Sequence, residues 1–407
     1  MTSTSTHPRN FVVADFVPTD ALCLLGVILC CFTGFAEAAK YLHGLRLLFL
    51  ALEIAVFAAA AMVWLRVRHL NSAYELRTRW LFFTWAAFAL IFAVLHPISQ
   101  RHVLGVGSDR EDALRVADFT LLHGRYLYDA PTYLGNAITP LPGAVMLSLP
   151  FYFLGSVAIQ NLFWLALFLA FVAWFFRDRS TALIMALLTF AAYTTNLDDF
   201  LVGGDYFINA LYVCIAFALT LVTVEEDMPG WMQLAAAIFL GFAICSRPIY
   251  VVAFPLLLAY LWQRRGPAPA MRALLVSGCT AVLLSLPFYL YSPAHFAPLH
   301  LRHKLDFIPA RYHATIALPA LGLLVACIGF FIRLTRPRVY LLFGLSLFAM
   351  VGIPGWIEWF QNPFTLGGWY GVGLSAVPSL FFMLWILSRY LQTGRRLRHS
   401  QSSAASA

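Results

Sequence analysis

Residues 80–97, WLFFTWAAFALIFAVLHP, contain no Asp, Glu, Lys or Arg. At about 1.5 Å per residue, a helix of this length approaches the ~30 Å hydrocarbon thickness of a bilayer. Similar apolar runs recur from residue 21 to the C-terminal part of the chain. The bilayer core has no water to satisfy free backbone polar groups, so these runs must cross it as helices. The sequence therefore predicts an all-α polytopic membrane protein.

The composition supports this fold class and excludes others. Of the 407 residues, 61% are hydrophobic and 11% are charged, and the mean hydropathy is +0.78, whereas soluble domains carry about 25% charged residues. The net charge of +8 comes from basic residues scattered over short loops, which indicates topology and excludes a nucleic-acid partner. The seven cysteines lie in or beside apolar runs, which argues against a disulfide framework.

The loops predict the topology. Spans begin near residues 18, 45, 79, 142, 180, 206, 231, 248, 271, 313, 338 and 369. Basic loops at 66–80, 177–179, 263–272, 333–338 and 394–399 should be cytoplasmic, so the polar segments 99–141, 292–312 and 353–369 lie outside. Residues 141–176 are too long for one span, and Gly155-Ser156 is the expected break. The count is thus about twelve transmembrane helices, or about thirteen. We interpret 1–399 as one transmembrane domain and 400–407 as a disordered tail.

The densest acidic cluster lies in one outside segment, GVGSDREDALRVADFTLLHGRYLYDAPTYLGNAITPLPG, Gly105–Gly143. Ser108 or Asp109 can cap a helix, acidic residues fill its first turn, and Gly124 can end it. A Glu111–Arg115 pair at i,i+4 spacing would support it. This pattern predicts a short amphipathic helix on the extracytoplasmic surface. Taken alone, such a helix needs no chemistry.

Three motifs in order resemble a known family. SD-x(14)-GRYLYD-x(10)-PLPG, then DDFLVGGDYFINALYVCIAFAL at 198–219, then GFAICSRPIYVVAFPLLL at 241–258 are similar to elements of the membrane-embedded glycosyltransferase C superfamily. The likeness is greatest to its polyprenyl-phosphate-mannose-dependent, mannosyltransferase-like members. It covers roughly residues 80–290. It implies an enzyme that transfers a sugar from a polyprenyl-phosphate donor to a glycolipid or glycan acceptor on the extracytoplasmic side, without a cofactor.

The resemblance places an acidic residue directly after a transmembrane helix. A carboxylate there can accept the proton of the attacking hydroxyl, and one base opposite the leaving group predicts an inverting reaction. Asp109 is the first candidate for this base. Glu111 and Asp112 are the alternatives, although Asp112 can instead pair with Arg115.

The leaving lipid phosphate requires cations or donors. The outside loop 291–313 supplies His300, Arg302, His303 and Lys304, and Arg247 follows a helix in the third motif. Attraction of this loop to anionic headgroups is the alternative. Asp205 and Tyr128 fall in the family-like motifs and are assigned to substrate binding. His300 and His303 alone do not make a metal site. Asp198-Asp199 reads as a helix cap rather than a divalent-ion site.

Other functions remain open at this stage. A polytopic transporter or lipid-linked glycan flippase would carry ionisable residues at mid-membrane and internal repeats, and neither pattern is evident. A glycan ligase or polymerase would have a similar outer site, and a scaffold would have none. We predict that the protein lies in the inner or plasma membrane and has a role in the cell envelope.

Overall fold

The computed structural model describes residues 77–101, 108–177, 179–191, 194–299, 305–361 and 377–388, with scattered positions between 25 and 59 and residue 374. These residues form helices and turns, and the described part contains one isolated β-bridge, Pro131 to Ala137, but no strand. The helices are α1 Thr78–Ser99, α2 Arg110–Leu122, α3 Pro142–Phe153, α4 Ile159–Phe176, α5 Arg179–Ala191, α6 Thr194–Leu201, α7 Tyr206–Glu225, α8 Gly230–Ile244, α9 Ala253–Arg265, α10 Pro267–Tyr291, α11 Ala314–Cys327, α12 Arg336–Leu347, α13 Ile353–Gln361 and α14 Val377–Ser388. A 3-10 turn, Pro248–Val252, precedes α9.

Six helical segments among the described residues are long and apolar enough to cross a membrane: Thr78–Ser99, Ile159–Phe176, Tyr206–Glu225, Pro267–Tyr291, Ala310–Phe330 and Arg336–Glu358. A seventh results if α5 and α6 together form one broken span. Three shorter apolar helices, α3, α8 and α14, accompany them. The all-α polytopic prediction is confirmed at this level. The spans predicted near residues 18, 45 and 369 begin outside the described residues.

Helix α7 lies at the centre of the bundle. Of its most apolar stretch, 94% is buried in the protein, against 11% for α10 and 17% for α1. It packs against α4, α8 and α9, while α10 covers α8 and α9 from outside. An apolar helix that is buried on all sides suits a core position, and one that exposes Leu283 and Leu290 suits contact with lipid.

The loops gather at two ends of the bundle. At one end, Arg336 binds Glu225, with its Nε 2.9 Å from Oε2, and Arg265 binds Asp227 at 3.0 Å. Loops 225–229, 265–266 and 331–335 therefore lie together, and the last two overlap the segments 263–272 and 333–338, which were predicted to be cytoplasmic. Segments 100–101, 108–141, 202–205, 245–247 and 292–299 meet at the opposite end.

The region 141–176 divides where the sequence predicted. Helix α3 ends at Phe153, and Gly155 then adopts φ +101°, in the left-handed region that favours glycine. Helix α4 begins at Ile159. The twelve residues of α3 cover about 18 Å at ~1.5 Å per residue, which is shorter than a bilayer core.

The sidedness of the two ends can be measured by cysteine labelling. We expect Asp129→Cys, in the acidic loop, to react in intact cells with a membrane-impermeant maleimide. Glu226→Cys, at the opposite end, should react only after the membrane is permeabilised. Both positions are exposed, so reactivity reports the compartment. The unsubstituted chain gives the background from the native cysteines. Labelling of both variants in intact cells would contradict the predicted topology.

Candidate functional site

Several helix beginnings converge at the predicted outer end. Arg110, the first residue of α2, contacts Asp199. Arg247, before the 3-10 turn, contacts Asp205, which precedes α7. The backbone N–H of Leu141, just before α3, donates to the carbonyl of Ser246 at 2.9 Å. The N-terminal ends of α2, α3, α7 and the 3-10 turn before α9 thus meet in one place, with the positive ends of their peptide dipoles close together.

Asp109 occupies the N-cap position of α2, as predicted, but its side chain does not cap the helix. Its Oδ2 instead accepts hydrogen bonds from Thr132 Oγ1 at 2.6 Å and from Asn136 Nδ2 at 2.8 Å. In the described part of the chain no donor reaches Oδ1. The residue is half-buried. One carboxylate oxygen is therefore fixed by neutral donors while the other stays open to a further partner.

Glu111 has both carboxylate oxygens engaged. Gln100 Nε2 donates to Oε2 at 3.0 Å and Ser156 Oγ donates to Oε1 at 3.0 Å, while His96 Nε2 lies 3.4 Å from Oε2. The predicted Glu111–Arg115 pair is thus wrong, because Glu111 faces the end of α1 and the turn after α3. Its contacts join three segments.

Asp112 is buried and likewise fully engaged. Arg115 donates to its Oδ1 at 2.6 Å and the backbone N–H of Tyr133 donates to its Oδ2 at 2.7 Å. The predicted pairing of Asp112 with Arg115 is confirmed. Asp112 therefore holds the 131–137 turn against α2. Of the three candidate bases, Asp109 alone keeps an oxygen without a partner in the described structure.

Asp205 and Arg247, both predicted site residues, form a buried ion pair. Nη2 of Arg247 lies 2.7 Å from Oδ1 and 2.6 Å from Oδ2 of Asp205, and the side chains are 6% and 1% exposed. Nη1 donates to Thr139 Oγ1 at 2.8 Å, and Asn209 Nδ2 donates to Asp205 at 3.0 Å. Nε of Arg247 has no partner among the described residues. A phosphate role for Arg247 stays a prediction, with Nε as its unused donor.

A second buried ion pair was missed by sequence reasoning. Arg110 Nη1 donates to Asp199 Oδ1 at 2.6 Å, so Asp199 is neither a solvated cap nor a divalent-ion ligand. The ring of Tyr206 lies between two guanidinium groups, 4.4 Å from that of Arg110 and 4.6 Å from that of Arg247. The mixed charges of SDRED, residues 108–112, hint at an ion pair, but nothing local in them selects Asp199 as the partner of Arg110.

Tyr128 lies inside the wall of this region. It is 5% exposed, its hydroxyl donates to the carbonyl of Pro140 at 3.1 Å, and its ring contacts Phe296. The hydroxyl of Tyr126 lies 2.9 Å from the carbonyl oxygen of Phe288 and 3.1 Å from that of Ser292, and its proton is available to either. The GRYLYD motif therefore joins the acidic loop to the end of α10. The predicted substrate role of Tyr128 would need a ligand that reaches into this wall.

The first residues of the outer basic loop, 291–313, contact the site. Phe296 packs on Tyr128, and His295 is exposed, with Nδ1 2.7 Å from Ser292 Oγ. The predicted phosphate ligands lie outside the described residues: His300, Arg302, His303 and Lys304. Within the described ranges, no group of three or more His, Cys, Asp or Glu side chains could hold a metal ion.

Fold and site together define an all-α protein with long apolar helices that fit a bilayer and a polar cluster at one end of the bundle. No family model matches the chain, and comparison with curated proteins and with solved structures gives no match. The resemblance to membrane glycosyltransferases therefore stays a prediction based on the three motifs.

Proposed function

We propose that this chain is an integral membrane glycosyltransferase, mannosyltransferase-like, that transfers a sugar from a polyprenyl-phosphate donor to a glycolipid or glycan hydroxyl. The reaction takes place on the extracytoplasmic side of the cell membrane. The proposal includes about twelve transmembrane helices, or about thirteen. The observation that carries it is the state of Asp109, with one oxygen held by Thr132 and Asn136 and the other available to an acceptor.

The chemistry follows from that open oxygen. The acceptor O–H gives its proton to Asp109 as its oxygen attacks the anomeric carbon from the face opposite the phosphate. The bond between that carbon and the phosphate oxygen breaks, and its electron pair leaves with the lipid phosphate. The sugar is transferred with inverted configuration, and Asp109 releases its proton to solvent.

The leaving phosphate gains negative charge and needs donors to stabilise it. The loop containing Arg302 and Lys304 is assigned this role, because its beginning packs on the same wall at Phe296. Nε of Arg247 is buried and has no partner in the described structure, and it becomes a further donor where the phosphate enters the wall beside it. The convergent helix beginnings add their positive dipole ends.

A transporter or lipid-linked glycan flippase is the second candidate. The buried pair of Asp205 and Arg247 supports it, because the pair lies where two apolar helical segments are interrupted. Discontinuous helices with charges at their ends are typical of transporter sites. In contrast to the enzyme, such a protein would move a lipid-linked substrate without forming a new glycosidic bond.

The first test is glycosyl transfer in membranes from a panel of labelled polyprenyl-phosphate sugars. We expect the natural chain to transfer from at least one donor, and Asp109→Asn to reduce the rate by about a hundredfold or more. Asparagine keeps the size and can still bond Thr132, but it cannot accept the proton. Initial rates at equal protein level give the comparison.

Asp129→Asn is the matched control, since Asp129 is an exposed carboxylate in the same loop, and its rate should match that of the natural chain. Undiminished transfer by Asp109→Asn would move the base to Glu111 or Asp112. Absence of transfer from every donor, with substrate movement across the membrane, would support the transporter instead.

A further inference from the structure

Arg110 is the first residue of α2 and follows Asp109 directly. Its side chain turns inward, where it is 14% exposed, and meets the carboxylate of Asp199, which is 1% exposed. The two residues are 89 positions apart in the chain. Arg110 therefore attaches the start of the surface helix to the segment that precedes the central helix α7.

Asp199 is itself held in place. Its Oδ2 accepts the backbone N–H of Phe207, in the first turn of α7, at 2.9 Å. The backbone of Gly204 lies so close that a Cβ there would stand 2.1 Å from Oδ1 of Asp199, a distance that no side chain can occupy. Asp199 is thus a fixed point of the bundle, because α7 is its most buried helix.

The ring of Tyr206 restrains Arg110 from a second direction. The guanidinium carbon of Arg110 lies 4.4 Å from the centroid of the Tyr206 ring, and the guanidinium carbon of Arg247 lies 4.6 Å from the same centroid. A guanidinium can stack and form hydrogen bonds in its plane at the same time, which a lysine ammonium cannot reproduce. Two contacts of different kinds therefore fix the plane of the Arg110 side chain.

We propose that Arg110 is a positioning residue, which docks the first turn of α2 on Asp199 and Tyr206 and thereby directs the open oxygen of Asp109 towards the acceptor. This inference rests on the proposed function. Asp109 is the residue next to the docked one, and the 131–137 turn holds its other oxygen. Together the two restraints leave little freedom to the carboxylate, and a displacement of about 1 Å can cost on the order of a hundredfold in rate.

The test compares Arg110→Gln and Arg110→Lys with Arg125→Gln, which removes an exposed arginine from the same loop. For the donor that the natural chain uses, we expect kcat to fall on the order of ten- to a hundredfold in Arg110→Gln, with KM for donor and acceptor within about twofold. Arg110→Lys should recover part of the loss, since it keeps the charge but loses the planar contact. Arg125→Gln should leave both constants unchanged.

Hydrogen–deuterium exchange without substrate gives an independent readout. Arg110→Gln should accelerate exchange in 110–122 and 131–137, whereas Arg125→Gln should not. Unchanged exchange and rate in Arg110→Gln would overturn the inference, and so would a loss confined to KM, since that indicates contact with substrate. If the natural chain transfers no sugar but exchange responds as expected, the docking stands and the proposed function fails. Arg110→Lys keeps the test informative if the glutamine variant does not fold.

Discussion

Asp205→Asn is expected to lower the free energy of unfolding by about 3–5 kcal/mol, because it leaves the guanidinium of Arg247 buried without its countercharge. Arg247 is 5% exposed in the folded protein, so water cannot replace the lost carboxylate. Asparagine keeps the shape and its bond to Asn209, which limits the change to charge. Thermal unfolding in detergent, followed by tryptophan fluorescence, gives the comparison.

Two further variants separate the charge from the packing. Asp227→Asn breaks an ion pair in which Asp227 is 75% exposed, and exposed pairs contribute less than about 1 kcal/mol. Asp205→Asn combined with Arg247→Met removes both charges and should regain much of the loss. Equal losses for Asp205→Asn and Asp227→Asn would mean that the buried pair is solvated, in contrast to the structure.

The buried pair also connects the stability of the fold to the site. Arg247 donates hydrogen bonds to Thr139 of the acidic loop and to Asp205 at the start of α7. The ring of Tyr206 contacts the guanidinium groups of both Arg247 and Arg110. A chain of contacts thus extends from the central helix to the residue beside the proposed base. Loss of the Asp205 charge should therefore loosen the loop that holds Asp109.

The helices were predictable because their signals are local. Predicted beginnings near 79, 142, 180, 206 and 231 agree with helices that begin at Thr78, Pro142, Arg179, Tyr206 and Gly230. Apolar runs end at charges, Gly or Pro, and these residues mark boundaries in membrane helices as in soluble ones. The break at Gly155 was found for the same reason.

The partners of the charged residues were not predictable in the same way. Asp205 and Arg247 were both selected as site residues, yet their pairing joins positions 42 apart, and that of Arg110 with Asp199 joins positions 89 apart. Within α2 the error was smaller. Both Glu111 and Asp112 are suitably spaced for Arg115, and the tertiary contacts of Glu111 with Gln100 and Ser156 decided between them.

Asp118 shows what sequence could not indicate about the acidic cluster. Its side chain is fully buried on the face of α2 that packs on α3, and its Oδ2 lies 2.9 Å from Ser148 Oγ. The same hydroxyl lies 2.9 Å from the carbonyl of Val145. The single proton of Ser148 is therefore divided between the carboxylate of Asp118 and the carbonyl of Val145. Its Oδ1 has no hydrogen-bond partner in the described structure.

Burial raises the pKa of Asp118 to about 7, and the hydrogen bond with Ser148 lowers it by less. No charged side chain belongs to α3, which packs on this face of α2. Since the folded state binds the proton more tightly than the unfolded state, Asp118 favours folding fully below the unfolded pKa of 3.8. That contribution is lost as the pH rises towards 7, which amounts to roughly 4 kcal/mol at ~1.4 kcal/mol per pKa unit.

Asp118→Asn should therefore stabilise the protein above pH 7, by up to about 4 kcal/mol, and have little effect near pH 4. The amide oxygen can still accept from Ser148, and asparagine carries no charge at any pH. Thermal unfolding of the natural chain, Asp118→Asn and the exposed control Asp129→Asn, measured from pH 4 to 9, provides the test. The natural chain should lose stability over this range while Asp118→Asn loses less. If the stability of the natural chain and that of Asp118→Asn change in parallel with pH, Asp118 is not protonated in the folded protein. Water would then reach its carboxylate between α2 and α3.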